Sequence, residues 1–139
     1  MIYFEVEGCG YAVDAAELAG VANACPFVSY PGLPEGVLGL IQWSGKVFPV
    51  IDVFKTGAAD FRGSTFLFSL DGLKGQYKEV AVAVPGSVRV FFAESVVPPP
   101  ASAGPYVVAI LIDQDGNEAQ QIRIAKAAEL LPQSPARAM

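Results

Sequence analysis

The apolar residues of this chain come in short runs, and the runs are built from β-branched side chains. Valine and isoleucine number 24 against 10 leucines, and the longest uninterrupted apolar stretch is residues 106–112. Fourteen glycines and eleven prolines punctuate the 139 residues. Short β-branched runs bounded by turn formers suit strands, and they leave little material for long helices. A helix crossing a bilayer needs about 20 consecutive apolar residues, far more than any run here. The pattern predicts strands at residues 2–7, 38–43, 46–53, 65–70, 79–84, 87–92, 106–112 and 119–124. Ser44-Gly45 joins one predicted hairpin, and the turn Asp113 to Glu118, with Asp115-Gly116 as its signal, joins another.

Helical signals are few. Residues 14–24 read as a short helix with Asp14 as N-cap and Leu18, Val21 and Ala22 at helical spacing. Residues 126–131 suggest one more turn before Pro132, and 133–139 a flexible tail. The stretch 97–105, with Pro98-Pro99-Pro100, reads as a stiff connection and not as a central strand.

A chain of this length can bury about two-thirds of its unfolded surface, so a core forms without metals or disulfides. With 53% hydrophobic and only 17% charged residues, apolar surface is left over for a partner. The net charge of −5 argues against nucleic acid and against anionic membranes. Histidine is absent, which removes Ser-His-Asp and Cys-His nucleophile systems and every histidine metal site. Cys9 and Cys25 form no disulfide framework and no CxxC pair, and read as small apolar residues. The acidic, base-free N-terminus is unlike a signal peptide, so the expected compartment is the cytoplasm.

Searches for reaction chemistry end in structural readings. Asp113-x-Asp115-Gly116 places its glycine too early for a calcium loop, and Gly45-Lys46 lacks the partners of a phosphate loop. Asp52, inside an apolar run, must find backbone N–H groups or a basic partner, and a turn-capping role fits better than catalysis. Trp43, beside a hairpin tip, is either folded over the core or presented as an anchor. The expectation is a chain with no catalytic set, no metal and no cofactor.

An internal echo runs through the chain. Leu40-Ile41, Ile51, Val53 and Lys55 match Leu111-Ile112, Ile122, Ile124 and Lys126 at an offset of 71, and Phe4-x-Val6-x-Gly8 matches Phe68-x-Leu70-x-Gly72 at 64. Either hairpins simply look alike, or the chain holds two similar β-units sharing one buried interface.

The central stretch then carries a resemblance. Gly39-Leu-Ile-Gln42-Trp43-Ser44-Gly45, running on to Pro49-Val50-Ile51-Asp52-Val53, resembles the signature of CheW-like domains. In that family Gly-hydrophobic-x-Asn-Leu-Arg-Gly leads into Pro-Val-Ile-Asp-Leu. Tyr11-Ala-Val-Asp14 is similar to the family's Tyr-Gly-Ile-Asp, and Leu130-Leu131 to its terminal leucine pair. The resemblance covers nearly the whole chain, as a single domain over 1–132. It implies a mostly β fold: two small five-stranded SH3-like β-barrel subdomains packed together, with one or two short helices.

It also implies a non-enzymatic adaptor in bacterial chemosensory signalling, coupling methyl-accepting chemoreceptors to the regulatory domain of a histidine kinase. An adaptor in another motility pathway, such as a pilus system, keeps the same fold. A small-molecule-sensing β-barrel module is the rival from another class. By position, Leu18 matches an apolar residue linked to receptor binding, and Gly39, Gln42, Trp43, Ser44 and Gly45 fall in the interaction motif. Tyr11, Asp14, Pro49 and Asp52 match its structural positions. Ser44 replaces the family arginine, whose planar multidentate donor a hydroxyl cannot reproduce. Val84-Pro85 departs from the family's usual continuation, and Pro85 ends or edges the strand there.

Overall fold

In the computed structural model, residues 1–23, 27–28, 31–33, 36–51, 53–54, 65–69, 79–86 and 88–129 are described. They form twelve strands: β1 (Ile2–Val6), β2 (Cys9–Val13), β3 (Leu18–Asn23), β4 (Phe27–Val28), β5 (Val37–Trp43), β6 (Lys46–Ile51), β7 (Thr65–Ser69), β8 (Ala81–Val84), β9 (Arg89–Val90), β10 (Ser95–Val97), β11 (Val107–Ile112) and β12 (Glu118–Ile122). One helix follows, α1 (Ile124–Glu129). The strands make two six-stranded sheets, ordered β10-β11-β12-β2-β1-β9 and β4-β5-β6-β8-β7-β3. Each has five strands of three or more residues plus a two-residue edge strand, β9 in the first and β4 in the second.

The two sheets repeat one plan. In each, an edge strand leads to a hairpin whose second strand pairs in parallel with a strand of the next hairpin: β12 with β2, and β6 with β8. Even the irregularity recurs. The β5–β6 ladder shifts register between Val37 and Gly39, and the β11–β12 ladder shifts between Val107 and Ala109. The echo in the sequence therefore falls on topologically equivalent strands. Its register is another matter. Ile51 and Ile122 share an environment at the offset of 71, as do Phe48 and Ala119 inside their own barrels. In the preceding strands the inward residues Ile41 and Leu111 match at 70, because the second turn is longer. The Phe4–Phe68 match is out by one residue, since Phe4 packs between the sheets and Phe68 inside the second barrel. A one-residue slip exchanges the faces of a strand.

Three apolar clusters explain why the inner strands read as continuous hydrophobic runs. Tyr3, Ala12, Phe91, Ala109, Leu111 and Ala119 fill the first barrel, and Ile41, Phe48, Val50, Phe66, Phe68 and Ala81 fill the second. Between the barrels lie Phe4, Val6, Val13, Ile51, Leu67, Val82, Val84, Ile122 and Ile124. Strand β7 is buried along its whole length, because Phe66 and Phe68 face into a barrel while Leu67 faces the other sheet. Strands covered on both sides lose the apolar–polar alternation of one-sided strands.

Several expectations are corrected. Asp14 does cap, its Oδ1 accepting from the Ala16 N–H at 3.0 Å, but the turn it starts is a single 3-10 turn, Ala15–Glu17. The expected helix over 14–24 is replaced by strand β3, which pairs antiparallel with β7. Leu18 and Ala22 satisfy a helical period and a strand period alike. Gly20, between them, disfavours the helix by about 1 kcal/mol relative to alanine. The strand expected over 87–92 is cut to β9, and β10 reaches into the stretch expected as a connection. As an edge strand, β10 accommodates the three prolines that follow it.

Helix α1 starts earlier than expected, at Ile124, whose N–H donates to Glu17 Oε2 at 3.0 Å. That cap comes from 107 residues upstream. Cys9, expected as a small apolar residue, is exposed. Asp52, Cys25, Leu130-Leu131 and the tail at 133–139 lie outside the described residues.

Candidate protein-interaction surface

The motif that carries the resemblance folds as the β5–β6 hairpin. Trp43 pairs with Lys46, and both residues of the turn have positive φ, 52° at Ser44 and 77° at Gly45. This is the mirror-image turn that matches the twist of paired strands, and it favours Asn-Gly. Glycine meets it without strain, whereas Ser44 occupies a region that L-residues other than asparagine and aspartate rarely adopt. Ser44→Asn is accordingly expected to raise stability by about 0.5–1 kcal/mol, measured by urea unfolding. A fall in stability would show that the Ser44 hydroxyl makes a bond worth more than the relieved strain.

The indole of Trp43 lies over the second barrel. Its ring stacks on Phe68 with centroids 4.4 Å apart and planes 10° from parallel, and it tilts against Phe48 at 6.1 Å. It is half-buried, and its six-membered ring lies against Gly20 of β3, where a Cβ would overlap it. Of the two readings open to the sequence, the ring takes the one over the core. One edge of it still borders a cleft of about 410 Å³ shared with Ala19, Ser44, Lys46 and Glu79. Lys46 Nζ lies 3.4 Å from Glu79 Oε1 across this cleft. Ser44, where the signature that the motif resembles carries an arginine, stands on the lip of this cleft.

The remaining motif residues divide by role. Gln42 is exposed on β5 opposite Val47, which is itself 62% exposed, so this face of the hairpin is open to a partner. Gly39 is buried at the register shift of β5, where the other barrel uses Ala109. Pro49 sits just before β6 begins its parallel pairing with β8 at Val50. Leu18 is half-buried against the cluster between the barrels. Tyr11 belongs to that cluster too, stacked on Phe4 at 5.9 Å and tilted against Phe54 at 4.8 Å. Burial, then the neighbouring Tyr106, push its phenol above the usual range. The structure thus brings Trp43 and Ser44 together with β3 at one end of the second barrel. It sets Tyr11 and Leu18 between the barrels and Asp14 on an exposed turn.

Three residues matter here that sequence reasoning passed over. Gly20 admits the indole, Glu17 caps α1, and Phe92 is an exposed aromatic. Only the adjacent pair Phe91-Phe92 offered a signal, because in the strand expected there two neighbours face opposite ways. Among the described residues, no group of three histidine, cysteine, aspartate or glutamate side chains could hold a metal ion. No helix among them is long and apolar enough to cross a membrane.

No family profile matches the sequence, and no curated protein does. Among solved structures, the chain is similar to the scaffolding protein TtCheW from Thermoanaerobacter tengcongensis. The two superpose with a TM-score of 0.69 at 23% identity, over 88% of this chain and 87% of that one. Together with the repeated sheet plan, this likeness establishes a CheW-like fold of two SH3-like β-barrel subdomains packed on one shared core.

Proposed function

We propose that this chain is a non-enzymatic adaptor of bacterial chemosensory signalling, binding the regulatory domain of a histidine kinase and a methyl-accepting chemoreceptor in the cytoplasm. The observation that carries this reading is the likeness to a scaffolding protein along nearly the whole chain. The physics suits the task. The two barrels pack on one buried core, a build suited to holding partners on different faces at a constant spacing. Residues 1–132 act as the working unit, with 133–139 as a tail. The β5–β6 hairpin is the main contact, through Gln42, Ser44, Gly45 and the outer edge of Trp43, with Leu18 and Gly39 holding the surfaces in place.

Titration calorimetry of the full chain against the kinase regulatory domain and the receptor signalling tip tests it. Binding with Kd near 1–10 μM, about −7 to −8 kcal/mol, is the expected result for at least one of them. Gln42→Ala, at an exposed position, should weaken that binding by about fivefold with the melting temperature unchanged. Absence of binding to both partners would overturn the reading.

A further inference from the structure

Phe92 is 81% exposed, the most exposed of the large hydrophobic side chains described. Val90, 59% exposed, lines the same cleft as Phe92. An exposed aromatic beside an exposed valine on a folded chain marks a contact surface more often than a scattered valine does. It is also held still. The Phe91 N–H donates to the Met1 carbonyl at 2.9 Å, and the Glu94 N–H donates to the Ile112 carbonyl at 2.8 Å. The Phe91 ring is buried and stacked on Tyr3 at 5.5 Å. Phe92 therefore projects from a backbone pinned on both sides, which lowers the entropy cost of docking on it.

The electrostatics select the occupant. The sequence segments 1–17 and 87–139, which contain every strand of the first barrel, hold nine acidic and four basic residues, whereas 18–86 hold five of each. The whole net charge of −5 thus falls in those two segments. Val90 and Phe92 share a cleft with Glu94, Asp113 and Asp115, and with a single cation, Arg89. The Arg89 guanidinium lies 4.5 Å over the Tyr3 ring. Asp113 accepts from the N–H groups of Asp115 and Asn117 and from Asn117 Nδ2. Slight desolvation works against its charge, but these bonds outweigh it and hold the carboxyl below its usual range. Strand addition is disfavoured, because β10 is three residues long and runs into three prolines.

We propose that the Phe92 face of the first barrel docks a partner segment carrying a bulky apolar side chain flanked by lysine or arginine. Side chains make the contact: the apolar residue covers Phe92 and Val90, and the cations meet Glu94 and Asp115. This surface is on the first barrel, whereas the hairpin of the adaptor reading belongs to the second, so either can fail alone.

The test is a titration of the isotope-labelled full chain with a synthetic peptide alternating lysine with leucine, followed by amide chemical shifts. The expected result is shifts confined to residues 90–94 and 113–117, with no response to the peptide carrying glutamate in place of lysine. Phe92→Ser should weaken binding about tenfold. The double variant Glu94→Gln, Asp115→Asn should weaken it too and flatten its salt dependence. Both act on exposed side chains, and unchanged melting temperatures check the fold. Shifts spread over all acidic residues, or affinity indifferent to Phe92→Ser, would overturn the proposal. Self-association of the free chain that Phe92→Ser abolishes would also overturn it, by making a second copy the occupant.

Discussion

Gly20→Ala should destabilise the chain by about 1–3 kcal/mol, and the same substitution should cost nothing when Trp43 is alanine. The position has no positive φ, so alanine suits its backbone; the penalty comes entirely from overlap with the indole. That ring is wedged between Gly20 and the Phe68 face against which it stacks, so it must leave its stacking geometry to make room. Trp43→Ala alone should cost about 3 kcal/mol and roughly 10 °C in melting temperature, from the lost contacts with Phe68 and Phe48. In that background Gly20→Ala turns neutral or stabilising by up to about 1 kcal/mol, because it restricts only the unfolded chain. A double-mutant cycle followed by circular dichroism reads the coupling, since Trp43 is the single tryptophan and its fluorescence is lost with it. Equal costs in both backgrounds would show that the indole does not pack on Gly20 in solution.

Leu67→Ala is expected to cost about 3–5 kcal/mol and to loosen both barrels together. Leu67 has no exposed surface and sits in the middle of β7, facing the cluster shared by the two sheets. The cavity left there is lined by residues of both barrels, so neither can collapse to fill it without shifting the other. Amide exchange at Phe48 in the second barrel and Leu111 in the first should accelerate by similar factors, in a single unfolding transition. Acceleration at Phe48 with Leu111 unchanged would mean that the first barrel folds independently, and the shared core would then not couple them. An adaptor that holds partners in register needs the coupled outcome.

How far the sequence reached can be judged strand by strand. The β5–β6 and β11–β12 hairpins were legible because local chemistry dictates them: Ser44-Gly45 and Asp115-Gly116 are turn formers flanked by β-branched runs. The candidate surface was legible as a segment and not as a surface. Nothing local says that Trp43 lies against β3, some twenty residues upstream, or that Asp14 starts one turn and no helix. The segment Leu18–Asn23 is ambiguous by periodicity and is settled only by the β7 edge that it covers.

Local chemistry by itself determined the mostly β class and the hairpin turns, because turn propensity and β-branching act within a few residues of the chain, while the duplicated plan was only hinted at by the echo. The sequence also determined the charge imbalance between residues 1–17 with 87–139 and the segment 18–86. Tertiary structure alone decided which face of each strand is buried. A strand covered on both sides, such as β7, carries no alternation to reveal its orientation, so Phe4 and Phe68 could match in the sequence while packing in different cores. The same holds for the contacts that span the chain, the Trp43–Gly20 packing and the Glu17 cap on α1, since each joins residues that only the packed barrels bring together.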